Sequence, residues 1–119
     1  MALDEGLIDW VGEALAPDGS VSMRRMMGGA TLYLDGVIFA IVADDRLWFK
    51  ADGESDAIWD DAGCVRFSYE TRDGPISMNY RAAPDEVYDE ADAMRRWAAL
   101  ALEAGLRGQA TRKPRKAKR

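Results

Sequence analysis

At 119 residues, 48% apolar and 31% charged, the chain has room for one hydrophobic core and the composition of an ordinary globular domain. No window approaches the roughly 18 apolar residues of a membrane span, and Asp4 and Glu5 interrupt any signal-peptide start, so a cytoplasmic location is expected. The net charge of −5 hides an asymmetry: nine basic against 21 acidic residues up to Leu106 give −12, and seven basic residues from Arg107 onward give +7.

Histidine is absent and Cys64 is the single cysteine. Triad hydrolysis, Cys-His chemistry and histidine metal sites fall with the first fact, and an internal disulfide falls with the second. A reducing compartment is therefore expected.

The elements follow in chain order. From Leu3 to Ala16, Leu3, Leu7, Ile8, Val11, Ala14 and Leu15 share one side of a helical wheel, and Pro17-Asp18-Gly19-Ser20 ends that helix. Trp10, at the margin of the apolar side, is expected to pack into the core. Met23 to Met27 reads as a strand broken by Gly28-Gly29, and Thr31 to Leu34 as the next. Asp35-Gly36 between apolar runs is a type I′ hairpin signal. Val37 to Val42 is unbroken by polar residues and should be a central strand. Asp44-Asp45 reverses the chain into Leu47 to Lys50; a turn is a stronger reading of this pair than a metal site, which needs further convergent oxygens.

Glu54 to Ala62 is a short helix closed by Gly63. Val65 to Glu70 and Ile76 to Arg81 alternate strictly around Arg72-Asp73-Gly74-Pro75, which predicts a hairpin with one buried and one wetter face. Val65, Phe67, Tyr69, Ile76, Met78 and Tyr80 fall on one side, and Arg81 on the other. Pro84 opens a new segment. Asp89 is placed as the N-cap of a long helix to about Leu106, with Gly105 and Gly108 bracketing its end. The last residues, from Gly108, hold no side chain that could join a core, so a disordered arm is expected.

The order α-β(4)-α-β(2)-α, with reversals too short for parallel crossovers, defines an α+β fold of two layers on an antiparallel sheet. No positioned nucleophile, acid or base emerges. The chain is expected to be no enzyme, with no cofactor and no metal. Met23, Met26 and Met27 are read as core filling rather than as a partner patch.

Several of these residues together carry a resemblance. Ser22, Arg24-Arg25-Met26, Met27-Gly28-Gly29, Leu32-Tyr33-Leu34-Asp35-Gly36, Phe39-Ala40, Leu47 and Lys50 stand in one ordered block. Phe67-Ser68-Tyr69, Met78-Asn79-Tyr80, Pro84 and Trp97-Ala98 continue it. From Leu3 to Ala104 the chain resembles the TfoX N-terminal domain family, also termed Sxy-like. The resemblance implies a type III secretion chaperone-like fold and a regulator of DNA-uptake competence genes, working with the cyclic-AMP receptor protein at promoters. It also reads the chain as a stand-alone N-terminal domain, residues 1–106, with a basic tail, residues 107–119.

Three functions are expected in turn. The first is a non-enzymatic regulatory module acting by protein contact, with the transcription machinery as partner. The second is phosphate binding to nucleic acid through Arg107, Arg112, Lys113, Arg115, Lys116, Lys118 and Arg119. The third is a chaperone-like peptide-binding module. No membrane partner is expected, and exposed strand edges leave a homodimer open.

Overall fold

The computed structural model of the chain describes residues 5–26 and 28–111. In order, the elements are α1 (Glu5–Leu15), β1 (Val21–Met26), β2 (Gly29–Leu34), β3 (Val37–Ala43), β4 (Arg46–Lys50), α2 (Asp56–Asp61), β5 (Arg66–Thr71), β6 (Gly74–Ala82) and α3 (Ala91–Thr111). A 3-10 turn, Asp85–Tyr88, links β6 to α3. The strands form one antiparallel sheet in the order β1-β2-β3-β4-β6-β5. The fold is α+β in two layers, as the element order predicts.

The hairpin turns follow from local chemistry. Asp35 and Gly36 both hold positive φ, 49° and 85°, as a type I′ turn requires. Asp35 also accepts a hydrogen bond from the Ser20 backbone N–H at 3.0 Å, which ties the start of β1 to this turn. Asp44 and Asp45 repeat the geometry at 54° and 60° without a glycine, so their backbones make the β3–β4 reversal. At the β1–β2 turn Gly28 takes φ 73° while Met26 pairs with Gly29, so β2 starts two residues before the predicted strand. Gly29 itself answers to packing, because a Cβ there would collide with the Val42 carbonyl oxygen.

The main core lies between the helices and one sheet face. Leu7, Val11, Ala14 and Leu15 of α1 and Met94, Ala98 and Ala101 of α3 meet Leu32, Leu34, Val42, Leu47 and Phe49. Trp59 of α2 is fully buried beside Phe49 and Trp97, with ring centres 5.6 and 5.0 Å away. Burial of each such side chain contributes about 2–3 kcal/mol. Trp10 packs against this core and donates Nε1–H to the Val87 carbonyl at 2.9 Å. In β3, Leu32 pairs with Ala40 but Tyr33 with Ile38, which leaves Phe39 as a bulge residue within the core. The strand is central in the sheet as expected, but helices cover only one of its faces, and it carries a kink that its unbroken apolar run does not signal.

Several expectations are corrected. The long helix starts at Ala91, two residues after the proposed cap, and continues through Gly108 to Thr111 instead of stopping near Leu106. Gly105 is a packing residue rather than a stop: a Cβ there would collide with the Ile38 carbonyl oxygen, so glycine lets α3 lie close on β3. Arg81, placed on the wetter side of β6, is only 2% exposed because α2 covers that side. Conversely Tyr69 and Ile76, on the side expected to be buried, are exposed because that side is the sheet face turned away from the helices, and Val65, just before β5, is exposed as well. Met23 is half-buried against the core, Met26 is exposed, and Met27 lies outside the described residues.

Candidate functional site

Of the seven basic residues proposed for nucleic acid, only Arg107 lies within the described part, and α3 carries it. Its guanidinium faces the body: Nε donates to Asp52 Oδ2 at 2.6 Å and Nη2 to Asp52 Oδ1 at 2.9 Å, with Glu54 at 3.8 Å and Glu103 at 4.0 Å. The Asp52 hydrogen bonds push the Arg107 pKa up. They also hold the Asp52 carboxyl down at about 2, helped by Ser55 and opposed by burial. Arg107 therefore anchors the last turns of α3. Arg112, Lys113, Arg115, Lys116, Lys118 and Arg119 lie outside the described residues.

Two further polar clusters are architectural. Arg81 donates from Nη1 to Asp60 at 2.7 Å and to the Cys64 carbonyl at 2.9 Å, from Nη2 to Asp56 at 3.0 Å, and from Nε to Asn79 at 3.1 Å. It thereby fastens α2 across the sheet. Arg95 forks onto Asp18 at 3.2 Å through both Nε and Nη2, joining α3 to the α1–β1 turn. Cys64 is buried, and burial raises its thiol pKa, so it is poorly suited to nucleophilic work. Among the described residues no group of three histidine, cysteine, aspartate or glutamate side chains is placed to hold a metal.

The face of the sheet turned away from the helices is built differently. Ile41, Trp48, Phe67, Tyr80 and Ala82 form a second apolar cluster, flanked by Ile38, Ala43 and Met78, all on strands. A cross-strand row runs Arg24, Thr31, Ile41, Trp48, Ala82 from β1 to β6. Trp48 meets Phe67 edge-on at 4.9 Å, and the Arg46 guanidinium stands 5.0 Å over the Trp48 ring. Lys50 Nζ lies 5.3 Å from the Tyr80 ring at the rim. Burial pushes the Tyr80 hydroxyl up to about 12. Met26, Tyr69 and Ile76 extend the surface, 42%, 45% and 42% exposed.

The charges on this face differ from those elsewhere. Six of the ten arginines and lysines in the described part pair with carboxylates: Arg25, Arg66, Arg81, Arg95, Arg96 and Arg107. Of the other four, Arg24 and Arg46 belong to the bare face, Lys50 stands at its rim between the Tyr80 ring and Gly108 of α3, and Arg72 lies in the β5–β6 turn. The strand positions of that face carry no carboxylate. Sequence reading missed these cations, although the alternation of Arg46, Trp48 and Lys50 with Leu47 and Phe49 assigns them to one side.

Fold and surface together define a two-layer α+β domain whose sheet is covered on one face and open on the other. The chain belongs to the TfoX N-terminal domain family, whose model matches residues 13–105. It is similar to DNA transformation protein TfoX1 of Aliivibrio fischeri, 34% identical over 62 residues that cover 52% of this chain and 30% of that protein. It is also similar to Protein Sxy of Escherichia coli K12, 25% identical over 103 residues, 87% of this chain and 49% of that protein. The chain thus spans half or less of the length of these curated relatives. No described helix is long and apolar enough to cross a membrane.

Proposed function

We propose that this chain is a non-enzymatic regulatory module that acts by protein–protein contact in competence-like transcriptional regulation. Membership of the TfoX N-terminal domain family supports the regulatory part, together with relatives named DNA transformation protein TfoX1 and Protein Sxy. The contact part rests on one observation, the bare sheet face with its exposed apolar residues and unpaired cations. A six-stranded sheet held rigid by helices on its other side presents such a surface with little ordering cost on binding. The partner belongs to the transcription machinery, in the manner of a cyclic-AMP receptor-type regulator. The test compares transcripts of DNA-uptake genes and transformation frequency in source cells lacking the chain, carrying it, or overproducing it. Both should fall on deletion and recover on complementation; identical levels in all three strains overturn the reading.

A further inference from the structure

Resting on the protein-contact reading, we infer that the bare sheet face docks an acidic amphipathic protein segment, its apolar side chains on Ile38, Met78, Tyr69 and Ile76 and its carboxylates on Arg24 and Arg46. Charge complementarity carries the argument. In a protein of net charge −5, a surface whose strand positions carry no carboxylate and hold two of the four unpaired cations among the described residues, Arg24 and Arg46, suits an anionic partner. Arg24 and Arg46 are exposed and free to exchange water for a carboxylate.

The apolar part decides which anionic partner fits. A single-stranded nucleic acid needs open aromatic faces for stacking, and the Trp48, Phe67 and Tyr80 rings are each under 9% exposed. What remains open is mainly methionine and aliphatic, Met26, Ile76 and parts of Ile38 and Met78, with Tyr69 and part of Tyr33 as the open rings, a mixture suited to protein side chains. A second copy laid face to face would bring cations against cations.

The experiment selects from a random peptide display library on the immobilised full chain, with an Arg24→Glu/Arg46→Glu variant for counter-selection. Enriched peptides should combine Leu, Ile, Phe or Trp with more Asp and Glu than Lys and Arg. Their amide shifts on the nitrogen-15-labelled full chain should cluster on the Arg24 to Ala82 row and the β5–β6 hairpin. Binding should weaken by about tenfold or more in the variant, whose cooperative unfolding should persist with only a small fall in midpoint from the lost Arg46–Trp48 contact. The inference is overturned by failure to enrich any peptide, by enrichment of neutral or basic peptides, or by shifts that map to the helices. Displacement by a short oligothymidylate, or concentration-dependent self-association through this face, overturns it equally.

The two readings fail separately. If the wild-type chain leaves DNA-uptake transcripts unchanged, the regulatory reading falls while the peptide data still decide the face. If wild type and double variant support transcription equally, the face is overturned and the regulatory reading stands.

Discussion

Glycine in this chain has two different jobs, and only one can be read from sequence. Gly28 and Gly36 supply positive φ in turns, whereas Gly29 and Gly105 supply the absence of a side chain where two backbones meet. Gly105→Ala should therefore destabilise by about 3 kcal/mol in urea unfolding, because a backbone carbonyl must move to admit the methyl. Gly108→Ala, with only Lys50 Cε nearby at 3.9 Å, should stabilise by about 0.5–1 kcal/mol through helix propensity. Equal effects at the two positions would contradict the packing role. Asp52 offers a pH test. Its folded pKa of about 2 lies below the ordinary 3.8, so its contribution is complete above pH 4 and is lost as pH falls through about 2. Asp52→Asn should remove that acid-limb slope, and the difference between the two unfolding curves should be flat above pH 5. Neither glycine packing nor this pairing was legible, since both depend on groups distant in sequence, as the 55 positions between Asp52 and Arg107 illustrate.

At the level of elements, the sequence is read best where turn chemistry is strong. Asp35-Gly36 between two apolar runs, and Arg72-Asp73-Gly74-Pro75 between two runs that alternate with period two, mark hairpins, so strands β2, β3, β5 and β6 are all expected near their observed places. The β3–β4 turn holds two aspartates at positive φ, a conformation that costs a Cβ-bearing residue roughly 1 kcal/mol. Replacing Asp44-Asp45 by Asn-Gly should raise stability by about 1 kcal/mol, read as a shifted urea midpoint at constant slope. A loss of stability would mean that the carboxylates contribute something beyond the turn. The Phe39 bulge is illegible for a plain reason: a run in which every residue is apolar carries no phase, and an extra residue changes nothing in it. The end of α3 is misread because glycine lowers helix propensity without saying whether packing compensates. Here the Gly105 contact with β3 and the Arg107 pair with Asp52 do so.

For the molecule as a whole, the two-layer class follows from element order, but the sheet order does not. Local hairpins dictate β1 through β4 and β5 with β6; nothing in the sequence says that β6, rather than β5, meets β4. The same gap hid the buried Arg81, because alternation divides β6 into two sides without revealing that α2 lies on one of them. The division of charge was legible as acidic body and basic tail. The finer division, cations left unpaired on one sheet face, is a property of the fold alone. The β4–β6 junction consists of three residue pairs, Trp48 with Ala82, Phe49 with Arg81 and Lys50 with Tyr80, against six for β5 with β6. Arg81 sits in the middle of that short seam. The β5–β6 hairpin should thus open from the remaining four strands as one unit, and the Arg81 guanidinium, bonded to α2 and the Cys64 carbonyl, ties it to that helix. In native-state hydrogen exchange, β5 and β6 amides should share one opening free energy below that of β2 and β3. Arg81→Met should lower the hairpin value by about 3 kcal/mol and leave the β2–β3 amides closer to wild type.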